Sequence, residues 1–187
     1  MASINIYQEP SVKTVPGMAS EIIRMLRKAG ETVAVAESLT AGGVMAALTS
    51  APGASAVFRG GVVAYATPLK RSLLKVNAAL IEQEGVVHGG VAVQMAQGVR
   101  RAAFVEGEPD EGVATWGVAT TGVAGPGPQD GHAAGTVYIG VAAPWGARAF
   151  GPFLFPGSRE QVREAAVMEA LSRLELMLME RTLDREH

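Results

Sequence analysis

Apolar positions change their period several times along the chain, and each change marks an element boundary. In "MASEIIRMLRKA" (18–29), Ile22, Ile23, Leu26 and Ala29 share one face of a 3.6-residue period. That predicts an amphipathic helix, with Gly30 as its stop. "TVAVA" (32–36) has no such stripe, and its β-branched content predicts a buried strand. Residues 39–50 return to the helical period, with Val44, Ala47 and Leu48 inward. "VFRGGVVAY" (57–65) predicts a second strand, in which Gly60 and Gly61 mark a bulge or a close approach. Thr67 and Pro68 predict the N-cap and first residue of a short helix, and further helices follow near 77–84 and 89–105.

"GVATWGVATT" (112–121) is the next predicted strand, and it runs into the loop "GVAGPGPQDGHAA" (122–134). Residues 135–143 and 147–155 predict a hairpin turning at Pro144–Gly146. Ser158 and Gln161 have capping-box spacing and open an amphipathic helix that runs to about residue 180. Strands separated by helices, then a hairpin, then a helix, predict a three-layer α/β domain with a mixed, mostly parallel sheet. Residues 1–16, punctuated by Pro10 and Pro16, are expected to be a flexible extension. Residues 17–187 are expected to form a single domain.

Composition narrows the classes. Hydrophobic residues make up 48% of the 187 and aromatics only 5%, so Val, Ala and Leu must fill the core. A net charge of −2 and a pI near 5.9 argue against a broad nucleic-acid surface, which needs clustered Lys and Arg. A small anionic ligand needs only two or three well-placed donors. The absence of cysteine excludes disulfide and thiolate chemistry. No apolar run approaches the roughly 18 residues of a membrane span, and the first residues lack a signal-peptide pattern, so a cytoplasmic protein without membrane contact is expected. The apolar helices, with Met168 and Met177, could face a core or a second copy; a homo-oligomer is the expectation.

Chemistry concentrates at strand and helix ends. Ser38, at the end of the strand in "VAVAESLTAGG", admits two readings: an N-cap for the next helix, or a nucleophile beside oxyanion-stabilising N–H groups. Thr40 competes for either role. The pattern is not the G-x-S-x-G elbow. His88, before Gly89–Gly90, reads as a helix-start residue, and no histidine pair has metal-ligand spacing. Lys70 falls in the first turn of its helix, where the dipole disfavours a cation. It is either a solvated lysine or an amine whose lowered pKa makes it a base. Tyr65, five residues earlier, could relay a proton, hold a substrate or simply pack. Arg159 follows Ser158 and is either solvated or a phosphate clamp. The loop "TTGVAGPGPQDG" (120–131) matches neither the dinucleotide nor the Walker pattern and reads as a ligand loop or a long turn. Glu108, Asp110 and Glu111 read as a solvated acidic patch.

Six motifs occur in order from residue 36 to 163: "AESLTAGG", "GGVVAYATPLK", "HGG", "TTGVAGPG", "GTVYIGV" and "FPGSREQVR". Together they resemble the CinA C-terminal domain family, competence/damage-inducible proteins whose active members are nicotinamide-nucleotide amidohydrolases. The resemblance implies an α/β/α sandwich that hydrolyses nicotinamide mononucleotide to nicotinate mononucleotide and ammonia. It implies Ser38 as nucleophile, with Tyr65 and Lys70 as its activating partners. Thr121, Gly122 and Gly125 become the substrate loop, Thr40 a further substrate contact and Arg159 a phosphate-side contact. No metal or organic cofactor is implied. Leu39 stands where the family often has cysteine, Ala41 where it often has glycine, and Thr67 where asparagine is common. The loop "PQDGHAA" lacks the usual Lys-Pro.

Overall fold

A computed structural model describes residues 13–107 and 110–185. Five strands are named in chain order: β1 (Val33–Glu37), β2 (Phe58–Val63), β3 (Trp116–Gly122), β4 (Thr136–Ala143) and β5 (Gly146–Leu154). They form one sheet in the order β2-β1-β3-β4-β5. β1 is parallel to β2 and β3, and the β4–β5 hairpin continues the sheet with antiparallel pairs. Four of the five strands therefore run in one direction.

The helices are α1 (Val15–Ala29), α2 (Gly43–Thr49), α3 (Thr67–Ser72), α4 (Ala78–Glu84), α5 (Gly89–Ala102) and α6 (Arg159–Arg185). Alternation along the strands sorts two unequal cores. Val33, Val35, Trp116, Val118, Val137, Ile139 and Val141 pack with buried residues of α1, α2 and α6. The intervening Ala34, Ala36, Ala119 and Ala142 pack with α5 and the α3–α4 region. Large side chains thus face the three-helix layer and small ones the other, an α/β/α sandwich. No helix among the described residues is long and apolar enough to cross a membrane.

Several boundaries differ from the sequence expectation. α1 begins at Val15, capped by the Thr14 side chain, so the end of the expected flexible extension is helical; residues 1–12 of that extension lie outside the described residues. Ala29 is exposed, because the helix ends there and only Met18, Ala19, Ile22, Ile23 and Leu26 reach the core. Gly30 closes it in the left-handed region at φ 66°. α2 begins at Gly43 rather than residue 39. Thr67 is the first residue of α3, with Ala66 at the cap. Residues 110–112 form a 3₁₀ turn outside β3. The capping box at α6 forms as expected: Ser158 N–H donates to Gln161 Oε1 at 2.7 Å, and Gln161 N–H to Ser158 Oγ at 3.3 Å. Met177 enters the core, whereas Met168 stays exposed.

Candidate active site

β1 and β3 end side by side, and the chain leaves both at the same sheet edge. Ligands of open α/β sheets gather at such strand ends. Glu37 is the last residue of β1 and turns toward α2; one residue on, alternation sends Ser38 the opposite way, toward α3. The ladder persists one step past the strand, with Ser38 N–H donating to Thr120 O at 3.1 Å. Ser38 keeps 9% of its surface exposed.

Ser38 is not a helix cap. α2 starts five residues later, and its first N–H groups are taken by Glu37 instead. Glu37 Oε2 accepts from Gly42 N–H at 2.8 Å and Val44 N–H at 3.2 Å, and Oε1 accepts from Met45 N–H at 2.8 Å. With that duty filled, the Ser38 hydroxyl faces Lys70, whose Nζ donates to Ser38 Oγ at 3.0 Å.

Lys70 is 1% exposed although it sits on a six-residue helix. Its Nζ also reaches Ala64 O at 2.7 Å and Tyr65 O at 3.3 Å, both in the segment between β2 and α3. Burial pushes the amine down to about 8, because a charge out of water is disfavoured. Burial, rather than the dipole of so short a helix, is the cause of the shift.

A cavity of about 330 Å³ opens over this pair, lined by Ser38, Tyr65, Lys70, Thr121, Gly122, Gly125 and Arg159 among others. Seven of the eight expected site residues therefore meet in one place. Thr40 does not line it: its hydroxyl pairs inward with Thr120 Oγ1 at 2.7 Å. Thr121 Oγ1 is committed to Val86 O at 2.7 Å, which ties the loop to the approach to α5. His88 caps α5, its Nδ1 accepting from Gly90 N–H at 3.1 Å, as its position before the glycines suggests.

Tyr65 departs from the expected proton relay. Its phenol accepts from Arg159 Nη2 at 2.8 Å, and its contact with Lys70 is through the backbone carbonyl. Arg159 also donates to Gly125 O at 2.9 Å, so the exposed Tyr65–Arg159 pair bridges the cavity mouth. Sequence reasoning missed Glu37, Thr120 and Arg163, the last donating to Thr40 O at 3.3 Å. "AES" before a turn carries the one available signal, an acid placed to serve N–H groups beyond it. A larger groove of about 560 Å³ between α1 and the end of α6 contains no nucleophile–base pair.

Similarities to known proteins agree with this architecture. The CinA C-terminal domain family matches residues 16–178. A CinA-like protein of Acaryochloris marina is 41% identical over 164 residues, covering 87% of this chain and 37% of its own length. A second, from Frankia casuarinae, is 44% identical over 157 residues, covering 84% and 34%. The chain thus spans little more than a third of these curated relatives. Among solved structures, a CinA superfamily protein from Enterobacter cloacae superposes with a TM-score of 0.83 at 27% identity, covering 95% of this chain and 99% of that one. CihA, a competence/damage inducible protein from Agrobacterium tumefaciens, gives 0.78 at 30% identity, covering 91% and 99%. With the sandwich and the ordered motifs, these matches establish that the chain belongs to the CinA C-terminal domain family.

Proposed function

We propose that the chain hydrolyses the carboxamide of nicotinamide mononucleotide through a Ser38 nucleophile and a Lys70 base. The observation that carries this reading is the buried Lys70 Nζ, 3.0 Å from Ser38 Oγ and held by two carbonyl oxygens at the floor of an open cavity. A neutral amine has two N–H donors and one lone pair. The carbonyls of Ala64 and Tyr65 take the donors, leaving the lone pair for the Ser38 hydroxyl. Ser–Lys pairs are a known variant of triad logic.

The reaction divides into two balanced halves. Lys70 takes the Ser38 proton as Oγ bonds to the carboxamide carbon, and the N–H of Leu39, which lines the cavity and has no acceptor among the described residues, receives the oxyanion. Lys70 returns that proton to the leaving nitrogen, the C–N bond breaks and ammonia departs. Water then attacks the Ser38 ester, again losing a proton to Lys70, and the acid and the free serine are released. The chain needs no metal or organic cofactor for these steps. Arg159 and Tyr65, at the cavity mouth, receive the phosphate end, while Thr121, Gly122 and Gly125 line the path between.

Purified protein should release ammonia and nicotinate mononucleotide in equal amounts from nicotinamide mononucleotide. Ser38→Ala should fold and lose nearly all of that turnover. Binding of the nucleotide without ammonia release by the wild type would make the chain a nucleotide-binding module instead.

A further inference from the structure

The turn that presents Ser38 is held at its middle and at its exit by charged side chains that do not line the cavity. Glu37 is 0% exposed, and its two oxygens take three N–H groups just beyond the turn, those of Gly42, Val44 and Met45. From α6, in the same helix layer as α2, Arg163 grips the carbonyl of Thr40 at 3.3 Å. Between them Ala41 adopts φ 49°, a left-handed conformation that a residue with a Cβ rarely takes. Such a backbone persists only where its surroundings hold it. The consequence falls on Ser38, whose hydroxyl must meet Lys70 while the N–H of Leu39 stays free toward the cavity.

We infer that Glu37 and Arg163 are positioning residues for the nucleophile: together they clamp the Ser38–Gly42 turn and set the Ser38–Lys70 alignment. Neither faces the bound substrate. The inference rests on the Ser38–Lys70 assignment but not on the identity of the substrate. Glu37→Gln is the sharper variant, because it keeps the shape yet replaces one acceptor oxygen with an NH2 that confronts an N–H donor. Misplacing a reacting atom by about 1 Å costs on the order of 10²-fold in rate.

The test is the rate at which a fluorophosphonate phosphonylates Ser38, forming the O–P bond with loss of fluoride, with peptide masses locating the label. This probe needs no nucleotide recognition. Wild type should be labelled at Ser38, and Glu37→Gln on the order of 10²-fold more slowly at temperatures well below its melting point. Arg163→Met should show a smaller loss in the same direction. On the substrate, both variants should lower kcat while leaving KM nearly unchanged; mere loss of folded protein would lower the apparent kcat likewise but would leave the labelling rate constant of the folded fraction at the wild-type value. Wild-type labelling rates in a folded Glu37→Gln would overturn the inference; should that variant not fold, wild-type rates in Arg163→Met would do so. Failure to label Ser38 in the wild type would overturn the nucleophile assignment and this inference with it. Labelling without nucleotide hydrolysis would fail the substrate reading alone, and the variant rates would still decide the clamp.

Discussion

At the scale of single residues, the proposed chemistry rests on Lys70. Its Nζ faces three oxygens, of which two are backbone carbonyls that cannot release a proton. Of these three oxygens, only that of Ser38 carries a proton that Lys70 can take. With burial holding the amine at about 8, its neutral fraction grows through the mildly alkaline range. We expect kcat/KM to rise close to tenfold per pH unit well below this value and to level off above it. Rates measured from pH 6 to 10 check this; a flat profile, or a midpoint near the ~6.5 of imidazole, would point to another base. Stability follows with a definite sign. The folded pKa of about 8 lies below the ordinary lysine value of 10.5, so between them the unfolded chain binds more protons. The contribution of Lys70 to stability is therefore fully present above that window and is lost as pH falls toward 8. Ser38, Lys70 and Arg159 were legible in the sequence because each sits at an element end, where side chains meet solvent and ligands. Glu37 was not, since capping acids are sought inside a first turn and this one lies on the preceding strand. The partner of Tyr65 was equally hidden: its phenol meets Arg159, 94 residues away.

At the scale of elements, close packing of α5 on the sheet seats the strands that carry the site. The sheet face under α5 carries Gly117 and Gly140, where the helix backbone approaches so closely that an added Cβ would lie 1.9 Å from Ala96 O and 2.2 Å from Ala92 O. Strand β3 then delivers Thr121 to the cavity wall, with Thr120 buried behind it against Thr40. Gly117→Ala should force α5 away from the sheet and destabilise the protein by about 1–3 kcal/mol. That corresponds to a melting point lower by roughly 2–4 °C for each kcal/mol in a domain of this size; an unchanged melting temperature would show that α5 is not seated on this face. The strand at 32–36 was legible in the sequence from its β-branched content. The start of α2 was not. Residues 39–42 satisfy a helical period, yet the N–H groups that begin the helix are drawn back to Glu37, and Ala41 and Gly42 leave helical space at φ 49° and 99°.

At the scale of the whole molecule, three segments remote in sequence converge on one cavity. The β1–α2 turn brings Ser38, α3 brings Lys70, and the start of α6 brings the guanidinium that closes the mouth against the β3–β4 loop. Parallel strands with helical returns make this convergence, since each return places its strand's exit at the same edge. Fold class was therefore legible from the order of elements alone, and the grouping of Ser38, Lys70 and Arg159 followed from it. Distances and orientations depended on packing between layers, which no single segment records. The joint claim is that this assembly carries the acyl group on Ser38 before water removes it. The direct measurement is turnover of nicotinamide mononucleotide and of its N-methylcarboxamide analogue in the presence of hydroxylamine. A shared Ser38 ester predicts the nucleotide hydroxamate alongside the acid, in the same ratio for both substrates, because the departed amine is gone when the choice is made. Acid as the sole product, or a ratio that changes with the leaving group, would contradict it.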